Sequence, residues 1–237
     1  VATDYAADRV FPAHRIEPSR AALLGEGRFH TTTLKIDRLE YRAANGRDGY
    51  AWEAEAWTGG DINRFVLATA GEGEFGHKPE TLEVNALWRR AIDPYFNLEL
   101  GVRHDFHPAP QRTYAVAGIS GLAPYWIEVQ GQLMVSNKGD VHARIEAEHD
   151  MRITQKLILQ PAIEVDIAMQ DVPELEIGGG IEKIELGARL RWQVNRKLAP
   201  YLGVHWERKL GGTADFARAE GEKVSGVSFL FGIRTWF

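Results

Sequence analysis

"IEVQGQLMVSNKGDVHARIEAEHDMRI", residues 127–153, is written in steps of two. Ile127, Val129, Leu133 and Val135 alternate with Glu128, Gln130, Gln132 and Met134. After a polar turn, Val141, Ala143, Ile145, Ala147 and Ile153 alternate with His142, Arg144, Glu146, Glu148, Asp150 and Arg152. Period two marks a strand, because successive Cβ atoms leave a pleated backbone on opposite sides. The stretch is therefore a hairpin with one apolar and one polar face. Gly139 suits the left-handed position of a three-residue loop, Asn137-Lys138-Gly139, and that loop predicts the register. Ser136 should face Asp140, Met134 should face His142, Gln132 should face Arg144, and Glu128 should face Glu148.

The same reading extends outward. Ile184, Leu186, Leu190, Trp192 and Val194 alternate with Glu185, Arg189, Arg191 and Gln193. In the closing "GVSFLFGIRTWF" (226–237), Val227, Phe229, Phe231, Ile233 and Phe237 share one parity with Thr235, against Ser228, Gly232 and Arg234. Alternation with turn signals predicts strands over approximately 30–42, 50–58, 63–73, 81–91, 95–106, 113–122, 126–136, 141–153, 157–170, 181–194, 198–210 and 225–237. The connections sort by length: "GGDI", "DP", "AP" and "NRK" are short, whereas "AANGRDG", "GEFGHKP", "DVPELEIGGG" and "GGTADFARAEGEKV" are long. Short turns at one end and long loops at the other are the pattern of an outer-membrane barrel. Residues 1–28 differ. "ADRVFPAHRIEPSRAALLGEG" carries two prolines and one short helical stretch from near Ser19 to Gly25 or Gly27, and is expected to fold against the short-turn mouth or into the lumen as a partial plug.

Composition narrows the class. The 237-residue chain has a net charge of -5 and a pI near 5.9, which gives no electrostatic case for nucleic acid. It has no cysteine, so thiol catalysis is excluded. No apolar run approaches the eighteen residues of a spanning helix, but spanning strands alternate and escape that test. Twelve strands decide which face is which. A barrel that wide has an interior that Val and Leu cannot fill, whereas a charged and hydrated interior leaves no void. The expectation is an all-β fold: a transmembrane antiparallel up-and-down β-barrel of about twelve strands over residues 29–237, with the charged parity inward and a short, partly helical segment before it. Trp57, Tyr95, Phe96, Tyr125, Trp126 and Tyr201 lie beside the short turns and are expected to form an interfacial girdle. No signal peptide is visible at Val1, as in a processed or trimmed form.

Several runs carry a resemblance. "DGYAWEAEAWTGGDINR", "AIDPYFNLELGVRHDFHPAPQRTYAV", "GLAPYWIEV", "RITQKLILQP", "IELGARLRWQV", "APYLGVHWERKLGGTADFARAEGE" and "GIRTWF" resemble the outer-membrane copper resistance protein B family over nearly all of residues 30–237. The resemblance implies a non-enzymatic outer-membrane barrel that works with a periplasmic copper-resistance protein to lower copper load, by export or by sequestration. Its partners would be the lipid bilayer of the outer membrane and that periplasmic protein. Copper would be transported or transiently bound. Family members usually begin with a Met- and His-rich segment. This chain has three Met and eight His in all, so that arm is expected to be missing or trimmed here.

Candidate residues follow from parity. Glu99, Arg103, Asp105, Glu128, Arg144, Glu146, Glu148, Glu164, Arg189, Arg191 and Glu207 are expected to line the lumen, with Glu53, Glu55, Glu83, Arg89, Asp166, Glu185 and Arg234. Two readings of this set stay open: a cation-friendly path, or a salt-bridge network that fills and stiffens the barrel. For metal, Met134 opposite His142 pairs a soft with a borderline ligand, chemistry suited to Cu(I); the alternative is a Met packed on a His. His205 points inward at mid-strand. His104 and His107 in "HDFH" point to different faces, and "HDM" (149–151) puts His149 and Met151 on the lipid face. No catalytic residue is assigned, since G-x-S-x-G, H-E-x-x-H and C-x-x-C are absent and "GEGEFG" (71–76) leads into His77-Lys78-Pro79 instead of a helix. The alternatives are a barrel enzyme that hydrolyses lipid, its groups drawn from separate strands, and a closed barrel that docks a periplasmic copper protein.

Overall fold

The structure, a computed structural model, describes residues 10–26, 29–44 and 46–237. Twelve strands make the barrel: β1 Thr31–Ala44, β2 Gly49–Gly59, β3 Asn63–Glu74, β4 Thr81–Ala91, β5 Phe96–His107, β6 Arg112–Ala123, β7 Ile127–Ser136, β8 Val141–His149, β9 Leu157–Ala168, β10 Gly180–Trp192, β11 Leu198–Lys209 and β12 Ser225–Trp236. Met151–Arg152 continue β8 beyond Asp150 and pair with β9. Each strand runs antiparallel to the next, and β12 pairs with β1, so the sheet closes on itself. The barrel expected from alternation is the barrel found. No helix among the described residues is long and apolar enough to cross a membrane.

The apolar parity faces outward. Phe229, Phe231, Leu202 and Ile145 are all more than half exposed on the outer wall, while Ser228, Leu230, His205 and Arg189 are buried on the inner one. The predicted hairpin register holds: Met134 faces His142, Gln132 faces Arg144 and Glu128 faces Glu148. Gly139 has φ +92°, as its loop position requires.

Side chains that mimic backbone build the short turns. Asp93 Oδ1 accepts from the amides of Tyr95 and Phe96 at 2.7 and 2.8 Å. Asn195 Oδ1 accepts from Lys197 and Leu198, and Thr154 Oγ1 from Lys156 and Leu157. At the opposite end the longest loop folds into an unexpected helix, α2 Gly211–Glu220. Its Thr213 hydroxyl accepts from the amide of Gly178 at 3.0 Å, in the β9–β10 loop. The two loops meet at two glycines, and a Cβ on Gly178 would fall 2.4 Å from the Cα of Gly212.

Two expectations need correcting. Tyr95, Tyr125 and Trp126 do stand exposed beside the short turns. Trp57 and Tyr201 instead point into the barrel: Trp57 packs on an inner cluster of Val66, Leu87, Tyr114, Val116 and Met134, and Tyr201 donates to Glu40 at 3.0 Å. That cluster also means the lumen is not polar throughout. The N-terminal helix, α1 Ala13–Glu26, starts earlier than Ser19 and contains Pro18. Its described side chains are mostly exposed, and none lines the lumen cavity. Residues 1–9 and 27–28 of the expected plug lie outside the described residues.

The inner cluster follows a rule of the fold. Trp57, Val66, Leu87, Gly101, Val116, Met134, His142 and Ala168 each lie directly opposite the next, from β2 to β9. Because barrel strands tilt by roughly 40°, a row perpendicular to them climbs the wall. Trp57 sits two residues from the short-turn end of β2, and Ala168 ends β9 at the long-loop side. Gly101 leaves the gap into which Leu87 folds; a Cβ there would lie 2.1 Å from the carbonyl oxygen of Ala86. Gly101→Val is therefore expected to destabilise the barrel by about 1–3 kcal/mol or more, as overpacking does. Urea unfolding in micelles checks this, and an unchanged midpoint would contradict it.

Candidate functional site

The inner wall surrounds a cavity of about 640 Å³ whose lining mixes many charged side chains with small and apolar ones. Its ion pairs reach across strands. Glu99, fully buried, accepts from Arg89 at 2.7 Å, Ser120 at 2.8 Å and Gln130 at 3.0 Å, and Arg89 also holds Glu55 at 2.7 Å. Arg103 grips Asp105 at 2.6 Å and Glu83 at 2.7 Å. Glu83 in turn meets Arg144 at 3.4 Å, a link from β4 to β8 over the lumen, and Arg144 reaches Asp166 at 2.7 Å and Glu164 at 3.2 Å. Arg189 pairs with Glu40 at 2.8 Å, while Arg191 meets Asp150 and, at 3.4 Å, Gln160. His205 Nε2 lies 2.9 Å from Glu185, which also holds Lys183. His205 thus belongs to the Glu185 pair. Glu164, Asp166 and Glu185 bring carboxylate oxygens within 4.8 Å of one another.

Carboxylates also form a lane. Glu128 lies opposite Glu148; Glu146, two residues on and on the same face, lies opposite Glu164; Glu164 is opposite Glu185, and Glu185 opposite Glu207. Glu128 is near the short-turn start of β7, whereas Glu207 is near the long-loop end of β11. The lane therefore climbs from one end of the barrel toward the other. Glu128, Glu146, Glu148 and Glu207 have no basic side chain in ion-pair contact among the described residues. Like charges directly opposed on one sheet face are unfavourable, so such a lane is a feature that stability alone does not select.

Beside the lane stands the Met134–His142 pair. Both side chains are buried. His142 Nδ1 is 2.8 Å from Glu182 Oε1, its Nε2 is buried with no partner, and its ring meets Tyr114 edge-on at 5.8 Å. Met134 Sδ accepts from Arg103 at 3.5 Å. Of the remaining histidines in the expected pairs, His107 lines the lumen, His104 bonds Thr113 at 2.8 Å on the outer side, and His149 Nδ1 meets the Trp126 carbonyl at 3.1 Å.

Glu182 and Glu40 escape a strict-parity reading. The β9–β10 register slips between Asp166–Lys183 and Ile167–Ile181, which leaves Glu182 in a bulge and turns its side chain inward to His142. In β1 the irregularity near Ile36–Arg38 switches the inward parity, so Lys35 and Asp37, then Arg38, Glu40 and Arg42, all face the lumen.

Residues 30–237 match the family described as Copper resistance protein B precursor (CopB). The chain belongs to the copper resistance protein B family. Copper resistance protein B of Escherichia coli is 41% identical over 202 residues, covering 85% of this chain and 68% of that protein. A copper resistance protein B homolog of Pseudomonas syringae pv. tomato is 38% identical over 201 residues, with the same coverage. Among solved structures, the NanC porin superposes with a TM-score of 0.57 at 11% identity, over 85% of this chain and 98% of that one. The KdgM porin gives 0.52 at 10% identity, over 87% and 99%. At such identities the porins speak for the fold alone. A copper resistance protein B barrel thus carries, inside, a charged lumen with an acidic lane and one buried Met–His pair.

Proposed function

We propose that this barrel lowers copper load by moving copper ions through its charged lumen across the outer membrane, or holding them there, with a periplasmic copper-resistance protein handing over ions at the short-turn mouth. The observation that carries the reading is the carboxylate lane. A cation moving between the ends meets Glu128, Glu148, Glu146, Glu164, Glu185 and Glu207 in turn. Rings and rows of acids of this kind favour cations in channels. Bases stand among these acids, Arg144 at Glu164 and Lys183 at Glu185, so an ion is attracted without being trapped. The chemistry asked of the protein is binding and release, and no hydrolytic constellation is invoked.

The test uses the unpaired members. Glu128→Gln, Glu146→Gln and Glu148→Gln together break no ion pair, so the barrel is expected to fold as before. Copper entry into proteoliposomes carrying the triple variant is expected to fall about tenfold or more, a change of about 1.4 kcal/mol in the barrier. Flux equal to the unaltered protein would refute the lane.

A second reading has its own support. The Glu83–Arg144 link and the inner apolar cluster both narrow the lumen, as in a closed barrel that serves to dock a periplasmic copper protein. Absence of copper flux through the unaltered protein, together with measurable binding of that partner, would favour it.

A further inference from the structure

We infer that Met134 and His142 form a binding site for one soft monovalent cation, Cu(I) or its redox-inert counterpart Ag(I), with Glu182 as a positioning residue. This deepens the copper-handling reading and rests on it for the choice of metal. Three observations converge. The first is register: Met134 and His142 are directly opposed on the inner face, where Cβ atoms stand about 5 Å apart, within reach of one shared ion.

The second is the state of the imidazole. His142 is 7% exposed, and its Nε2 has no partner, although a buried polar nitrogen ordinarily finds one. Its Nδ1 is spent on Glu182. With the ring proton on Nδ1 donated to the carboxylate, Nε2 presents a lone pair. That is the arrangement in which a ligating histidine is oriented and made more basic by a carboxylate behind it. The bulge that turns Glu182 inward has this contact as its visible result.

The third is the softness of the pair. A thioether with an imidazole selects Cu(I) over hard cations, which prefer oxygen. Arg103 Nη1 sits 3.5 Å from Met134 Sδ, and its charge is offset by Asp105 and Glu83. The sulfur keeps a second lone pair, and the apolar neighbours Val116 and Tyr114 exclude water from the pair. The site lies in the upper part of the climbing row, toward the long-loop mouth.

The experiment is a Cu(I) competition on the purified full chain in detergent, using a chromophoric Cu(I) chelator, with Ag(I) as a second probe. The unaltered protein is expected to hold one Cu(I) per chain. Met134→Leu, close in volume, with His142→Gln should weaken that binding at least tenfold; Glu182→Gln should weaken it about 10–100-fold without touching the metal. Copper X-ray absorption of the unaltered, loaded protein should show a sulfur scatterer, a readout that needs no variant to fold. Undiminished binding in the double variant, or a copper shell without sulfur, overturns the site. Copper tolerance of cells is scored separately. Normal tolerance with lost binding supports the site and shows that the lane-based transport reading does not depend on it; lost tolerance with intact binding refutes the site.

Discussion

Glu99→Ala is expected to cost the barrel about 3–5 kcal/mol, because it strands Arg89 beside a void and leaves Ser120 and Gln130 without their acceptor. Glu99 is completely buried, so water cannot take the place of the lost carboxylate without rearrangement. Arg89 keeps Glu55, which is why the expected loss stays within that range. The measurement is equilibrium unfolding in urea with the protein in micelles or vesicles. The control is Glu128→Gln on the same inner wall, where no ion pair is lost and the like-charge contact with Glu148 is relieved; it should be neutral or slightly stabilising. Equal behaviour of the two variants would show that lumen carboxylates act as interchangeable charge, and would sink the network description.

Phe231→Arg should cost about 2–4 kcal/mol, and for a different reason. Phe231 lies mid-strand on the outer wall, between Leu202 of β11 and Tyr41 of β1. An arginine at the middle of the apolar band has to be buried in hydrocarbon or drag water with it. Val194→Arg, just past the end of β10, should cost about 0–1 kcal/mol because its side chain reaches the interface. Unfolding measured in lipid vesicles distinguishes the two. The depth dependence is the diagnostic, and equal penalties at both positions would place the bilayer elsewhere on the barrel.

The twelve strands and the Met134–His142 opposition were legible because they depend on local rules, alternation and a three-residue turn, that a sequence states outright. What stayed hidden depends on departures from those rules. One bulge near Lys183 brings Glu182 inward, and one irregularity in β1 brings Glu40 to Arg189 and Tyr201. Neither slip announces itself in residue type. Trp57 and Tyr201 were misread for a related reason: an aromatic near a turn fits both a girdle and a lumen, and only parity through the strand separates them. Helix α2 was obscured by its glycines, Gly211 and Gly212, which signal a loop while Ala214 and Ala217 supply the buried face. The carboxylate lane was visible residue by residue, but its continuity required the register of four successive strand pairs.

The pairing of β12 with β1 has a kinetic meaning. Contacts such as Ala44 with Ser228 join residues at opposite extremes of the chain, so the seam is the contact of greatest sequence separation in the fold. Non-local pairings of this kind are slow, because the whole loop entropy is lost before the pairing yields anything. Until they form, a twelve-strand sheet presents two raw edges, β1 and β12, whose amides and carbonyls have no water to satisfy them in a bilayer. Insertion and seam closure are therefore a single coupled event, and a variant that weakens the seam should accumulate outside the membrane rather than half inside it.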